Sequence, residues 1–331
     1  MKTYKNLWDE FVSMDNLERA AKKAVKSKKS KVMVRKFLAN RDALLQKLRD
    51  DLINMRFNTS PYVVFKVFEP KEREIYMLPL YPDHIVQHAL INVLGPIWQN
   101  MFIRDSFACI PGRGLHSASQ RLMQFMRRNK YVLQCDIRKF FPNINHNIMM
   151  RIIEHKIKDK KIRAILENIV HSGGNQKNLP IGNLTSQWLG NVYLNEMDYF
   201  IKHILHWRDY IRYCDDFCLF GNNKRELYLA RNQIEGFLEQ CLDLSFSKSN
   251  LTPTSCGVNF IGYRHFPRFI LLRRRGKRRI LKRIKNIIQS NDTSSHAVSQ
   301  IAAAHGWLKW ACSFNLKKSR FNQDDFCYSW L

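Results

Sequence analysis

Residues 208–221 set two adjacent acids, Asp215 and Asp216, between two short runs of aromatic and aliphatic residues. Runs of this kind read as strands, and the acids fall where the chain must reverse between them. Adjacent carboxylates at a hairpin tip repel each other and suit a two-residue turn poorly unless something neutralises them. A divalent cation does so. Asp136 ends another apolar run, Tyr131–Ile137. Alone, an acid at a strand end is commonly a turn residue or a helix cap. Two strands side by side in one sheet, however, can bring Asp136 to Asp215. Phosphoryl transfer by two metal ions about 3.5–4 Å apart needs such bridging carboxylates. Magnesium prefers a few of them plus substrate phosphates to a full protein cage.

The surrounding elements follow from periodicity. Residues 16–56 read as helix, with a basic stretch from Lys22 to Lys36, and 61–80 as two antiparallel strands. Residues 84–101 and 115–128 read as helices separated by the turn Ile110-Pro111-Gly112-Arg113-Gly114. After the strand 131–137, Phe140-Phe141-Pro142 forces a turn before a helix near 145–157. A glycine-rich loop at 173–183 precedes a helix of about 20 residues, capped by Thr185 or Ser186. A helix over 223–241 follows the acidic hairpin, and 257–272 reads as a further hairpin. The order strand, helix, hairpin, helix, strand predicts an α+β fold, an antiparallel sheet backed by helices.

Charge narrows the partner. Lysine and arginine total 55 against 28 acids, a formal charge of +27. Self-repulsion of that size opposes compaction, so a polyanion is the natural partner. Arg264–Lys285 holds eleven Lys or Arg and no acid, a density better explained by phosphates than by a solvated helix face. With 331 residues, 45% of them hydrophobic, more than one packed unit is expected. No apolar run of about 18 residues and no lipidation signal suggests a membrane. The opening residues lack the apolar core of a signal peptide, which predicts a cytoplasmic protein. The eight cysteines are scattered, as reduced and mostly buried thiols would be.

Tyr213-Cys214-Asp215-Asp216 resembles the catalytic box of reverse transcriptases. Cys135 through Phe141 is similar to their first catalytic box, an Asp followed five residues later by an aromatic. Lys71, Arg73 and Leu78-Pro79 resemble the opening fingers box, Ser106–Ala118 the second and Leu179–Gln187 the fourth. Lys248 falls in the motif D position, and Phe260-Ile261-Gly262-Tyr263 resembles the primer grip. Any one box is weak evidence; so many in one order make chance implausible.

The resemblance implies a right-hand polymerase fold. Residues 1–130 would form N-terminal helices and fingers, 131–265 a palm with a fingers insertion near 155–183, and 266–331 a basic helical thumb. It implies an RNA-directed DNA polymerase that holds two Mg2+ ions, with Mn2+ as an alternative, on Asp136, Asp215 and Asp216. Template RNA, a cDNA or primer strand and dNTPs would be its partners. The incoming dNTP would meet Lys71, Arg73, Arg113, Phe141, Ile181, Gln187 and Lys248. Phe141 stands where the family places a ring that excludes a ribose 2′-OH; otherwise it is one core phenylalanine among 21. Arg113 lies between glycines with its side chain free to swing, and Lys248 is either a proton donor to pyrophosphate or an exposed loop lysine. The primer would meet Phe260, Gly262 and Tyr263. Nucleic acid would meet Arg273, Arg274, Arg275, Lys277, Arg278 and Arg279. Trp307 and Trp310, three apart on a helix, read as core rather than as base-stacking platforms.

The fourth box narrows the subfamily. Most reverse transcriptases carry a glutamine where Ile181 stands and a proline at Gln187. The form Ile181-Gly182 with Ser186-Gln187 is similar to the enzymes of diversity-generating retroelements, as are Asn191–Glu196 and Gly306–Lys309. That resemblance implies mutagenic copying, with errors at template adenines, and a small basic accessory protein as partner. Defence-associated and retron-like reverse transcriptases, which make DNA without a diversified target gene, remain the alternative. An RNA-binding scaffold that has lost its chemistry is disfavoured by the three clustered acids.

Overall fold

The computed structural model describes residues 2–68, 72–174, 176–290 and 292–313. Its N-terminal part is helical: α1 (Trp8–Phe11), α2 (Met14–Val25), α3 (Val32–Ala39) and α4 (Arg41–Ile53). The single helix expected over 16–56 is therefore three. The first break falls in the lysine-rich residues 26–31, where Ser27 takes φ +61°. Those residues offer no apolar stripe to bury, so packing cannot hold them helical. Leu17, Ala20, Ala21 and Ala24 recur at helical spacing and are buried. The expected hairpin forms as β1 (Val63–Val67) and β2 (Arg73–Met77), antiparallel with Val63 opposite Met77. Every residue of β1 is exposed. Lys71 lies outside the described residues.

Helices α5 (Ile85–Met101) and α6 (Leu115–Arg128) stand where expected, with the two-residue strand β3 (Ser106–Phe107) between them. Strand β4 (Tyr131–Ile137) matches its predicted limits. The turn after it is one helical turn, α7 (Phe140–Asn143), leading into α8 (His146–Lys156). Helix α9 (Lys160–His171) was not expected. Its signal was nevertheless present: Asp159 caps it by accepting from the N–H groups of Lys161 and Ile162, and Ile162, Ile165, Leu166 and Ile169 follow at helical spacing. The other Asp159 oxygen accepts from Leu7 and Trp8 N–H at 2.8 and 3.0 Å, tying α1 to α9.

Helix α10 (Leu184–Tyr199) begins one residue before the expected start, and neither Thr185 nor Ser186 caps it. Both are buried inside its first turn. Gln87 of α5 supplies the missing acceptor, taking the Leu184 N–H at 3.0 Å. Then come β5 (Tyr210–Tyr213), β6 (Asp216–Gly221), α11 (Lys224–Leu242) and β7 (Phe246–Pro253). The central sheet has the order β3-β5-β6-β4-β7, antiparallel except where β3 meets β5. The expected hairpin at 257–272 is a three-stranded sheet of β8 (Val258–Phe260), β9 (Tyr263–His265) and β10 (Ile270–Leu272). Helices α12 (Arg274–Ser290) and α13 (Ser295–Trp310) follow.

One large apolar core joins the N-terminal helices, α8 to α11 and one face of the sheet. A second, between α6 and the opposite face, holds Leu122, Phe125, Ile211, Cys218, Phe220 and Phe260. The sheet is thus covered on both faces, and its exposed residues lie at strand ends, in turns and along the edge strand β7.

Candidate active site

The β5–β6 hairpin closes with Tyr213 opposite Asp216, leaving Cys214 and Asp215 as its loop. Cys214 takes φ +55°, the left-handed backbone that two-residue hairpin loops favour at their first position. Asp216 is therefore the first residue of β6 rather than part of the tip. Across the sheet it lies directly opposite Asp136 of β4. The two carboxyls share a hydrogen bond, and Asp216 is pushed up to about 7 by burial, then by the charges of Asp136 and Asp215. The Arg273 guanidinium pulls the other way. Ser247 donates to Asp136 Oδ2 at 2.5 Å.

This is a crowd of hard anionic oxygens at partly buried strand ends, a donor set that suits magnesium. Asp136 and Asp216 form the pair, with Asp215 beside them. Among the described residues, no three His, Cys, Asp or Glu side chains converge as a ready-made metal cage.

Behind the turn stands a polar cluster that the sequence reading missed. Arg212 is fully buried and bonded through Nε and Nη2 to both oxygens of Asp198, at 2.8 and 2.5 Å. Its Nη1 donates to Asn191 Oδ1 and to the Cys214 carbonyl, each at 3.0 Å. Tyr210 donates its hydroxyl to Asp198 at 2.6 Å, and Asn191 donates to the Ala108 carbonyl at 3.1 Å. The signal lay in spacing: Asn191 and Asp198 are seven apart on α10 and share a face, and Arg212 is a charge inside an apolar strand. Cys109 was also missed. Its exposed thiol is pulled down to about 7 by a hydrogen bond with Cys214. Both thiols are free, as are the other described cysteines, but of these only Cys135 and Cys218 are buried, so the expectation of mostly buried thiols fails.

The half-buried Phe141 follows β4, its ring 5.1 Å from that of Phe140. Gly190 of α10 makes room for it, since a Cβ there would sit 3.3 Å from Phe141 Cε1. Ile181 is half-buried, and its carbonyl accepts the Tyr76 N–H at 2.8 Å, fixing this loop to β2, the strand that Arg73 begins. Arg73 and Gln187 are exposed. Lys248 lies directly opposite Asp136 on β7, so it is an exposed strand residue and not a loop lysine.

Arg113 is not free to swing: its Nη1 donates to the Ile103 carbonyl at 2.6 Å. It borders a cavity of about 430 Å³ with Lys23, His88, Cys109, Trp188 and Tyr213. His88 is held down to about 4 by burial and by the neighbouring His84, Lys28 and Lys23.

Phe260 and Tyr263 are buried, and the Phe260 ring meets Tyr213 edge-on at 6.3 Å. Gly262 takes φ +85° beneath Trp307, whose ring would lie 2.8 Å from any Cβ placed there. Trp307 also packs against Tyr263, the tilted rings 4.9 Å apart, and is half-buried rather than fully inside the core. Arg273, Arg274, Arg275, Lys277, Arg278 and Arg279 are all exposed at and beyond the start of α12.

A family model described as "Reverse transcriptase (RNA-dependent DNA polymerase)" matches residues 71–265. Protein YkfC of Escherichia coli K12 is 24% identical over 270 residues, covering 66% of this chain and 70% of that protein. The group II intron-encoded protein LtrA of Lactococcus lactis is 26% identical over 135 residues, 38% of this chain and 22% of LtrA. A structure of telomerase from Candida albicans, in complex with a fragment of telomeric RNA, aligns at a TM-score of 0.48 with 11% identity. That alignment covers 81% of this chain and 57% of the telomerase chain.

Proposed function

Because this chain belongs to the reverse transcriptase (RNA-dependent DNA polymerase) family, we propose that it copies an RNA template into DNA at Asp136, Asp215 and Asp216. The observation that carries this reading is the direct pairing of Asp136 with Asp216 beside Asp215. A half-buried carboxyl raised by burial and by two neighbouring carboxylates gains most from a cation. Two Mg2+ ions held there would stabilise the charge that develops on the attacking and leaving oxygens.

The chain's own groups then have distinct tasks. Arg73, a forked and permanently charged donor, grips the triphosphate. Phe141 closes the space beside the sugar, and Lys248, across from Asp136, serves the departing pyrophosphate. The exposed arginines at the head of α12 hold template–primer phosphates. On this reading residues 1–130 carry the fingers, 131–265 the palm and 266–331 the thumb, with β3 and α6 reaching from the first segment into the palm sheet.

The finer reading is a diversity-generating retroelement enzyme working with a small basic accessory protein. It is supported by Ile181 and Gln187 in place of glutamine and proline. The second reading is a defence-associated or retron-like reverse transcriptase that makes DNA without a diversified target gene. One experiment addresses both levels. Wild type with Mg2+, dNTPs and a primed RNA should extend the primer, and Asp215→Asn, nearly the same shape, should lose extension by about a thousandfold or more. Near-normal extension by the Asn variant overturns the assignment. Sequencing the wild-type cDNA should then show errors concentrated opposite template adenine; an even error spectrum sinks the retroelement reading and leaves the polymerase intact.

A further inference from the structure

Arg212 lies wholly out of solvent in the strand that leads into the acidic turn. Its ion pair with Asp198 is a poor way to gain stability. Removing both charges from water offsets most of their attraction, and a well-packed apolar pair does as well or better. What the pair supplies is direction. Asp198 grips one edge of the guanidinium through Nε and Nη2, and Asn191 takes one Nη1 hydrogen. The planar fork is then fixed with its remaining Nη1 hydrogen on the Cys214 carbonyl. That carbonyl belongs to the same rigid peptide plane as the Asp215 N–H. Cys214 is itself held in a left-handed conformation, which is unfavourable for a non-glycine residue and persists only where its surroundings impose it.

We propose that Arg212 is a positioning residue for this turn: anchored by Asp198 and Asn191, it holds the Cys214 carbonyl and thereby aims the Asp215 carboxylate at the bound cation. The proposal rests on the polymerase reading above and goes beyond it, since the acids alone do not determine how the turn is oriented.

The test separates orientation from stability. In Asp198→Leu/Arg212→Met/Tyr210→Phe the buried ion pair and the hydroxyl bonded to it become apolar while Asn191 keeps its bond to the Ala108 carbonyl, which should leave the unfolding midpoint close to wild type. Mn2+ binding to the protein–template–primer complex, read directly by electron paramagnetic resonance, should nevertheless weaken by about tenfold or more. The rate of extension should fall by about 10–100-fold, while affinity for the template–primer stays within about twofold of wild type. A folded triple variant with wild-type Mn2+ affinity and extension rate overturns the proposal. Should that variant not fold, Arg212→Lys decides, because it keeps the charge and loses the fork. Wild-type Mn2+ affinity in its folded fraction overturns the proposal, and weakened affinity supports it. A wild-type protein that neither binds Mn2+ nor extends a primer overturns the polymerase reading itself, and this proposal with it.

Discussion

At the scale of single residues, the sites differ in how much freedom their surroundings leave them. Phe141 has little: its ring lies against Phe140 and over Gly190, where a Cβ would come within 3.2 Å of Phe140 Cε1. If the ring excludes a 2′-OH by contact, Phe141→Ala should raise ribonucleotide insertion relative to dNTP insertion by about tenfold or more. An unchanged ratio in a single-nucleotide insertion assay reduces the ring to packing. Ile181 is held by its backbone to the strand of Arg73. Its side chain has no donor or acceptor and cannot read a nucleotide by hydrogen bonding. A contact of that kind discriminates weakly, and a strong grip on the triphosphate helps right and wrong nucleotides alike. Ile181→Gln should therefore lower misincorporation, most of all opposite template adenine. Matched error spectra from wild-type and variant cDNA would place the source of error elsewhere. Ile181, Phe141 and the acids were legible in the sequence because motif spacing names them. Arg212, Asp198 and Asn191 were not, because their partnership exists only once α10 packs behind β5.

At the scale of elements, the head of α12 is the segment whose chemistry is most one-sided. Arg274, Arg275 and Arg278 are exposed, and the helix buries Ile284, with Ile280 packed against it. An amphipathic helix whose exposed residues are mostly cationic and include no acid is held by packing and free to meet phosphates. Replacing these three arginines with glutamine should weaken template–primer binding regardless of sequence. For every phosphate that the variant no longer neutralises, the log–log salt dependence should flatten by about 0.9 on B-form duplex. Binding titrations from low to moderate salt read this directly, and an unaltered slope means that the helix does not touch nucleic acid. Arg273 is left out of the set because it also bears on Asp216. Strand and helix limits were well read wherever an apolar period ran without interruption, as in β4 and α6. The reading failed over 16–56, where lysines interrupt the stripe, and at the cap of α10, where a distant glutamine does the work expected of Thr185 or Ser186.

For the whole molecule, a formal charge of +27 means that the free protein works against itself. Screening should relieve this strain, so raising sodium chloride from about 20 to 300 mM should raise the thermal midpoint of the free protein. The same salt should weaken template–primer binding, and saturating duplex should raise the midpoint by mass action. A midpoint that falls as salt rises would show that specific ion pairs, such as Arg121 with Asp105, outweigh the general repulsion. Among the described residues no helix is long and apolar enough to cross a membrane. The sequence by itself determined the class of fold, and it singled out the three acids and a polyanionic partner as expectations, because strand periodicity, motif spacing and net charge are local or additive properties of the chain. Only the tertiary structure decided that Asp216, not Asp215, stands opposite Asp136. It also decided that Lys248 lies on the neighbouring strand, that Arg113 is tethered, and that a buried arginine grips the turn. Those facts depend on register between strands distant in sequence and on which helix face the sheet selects, and neither is written in any one segment.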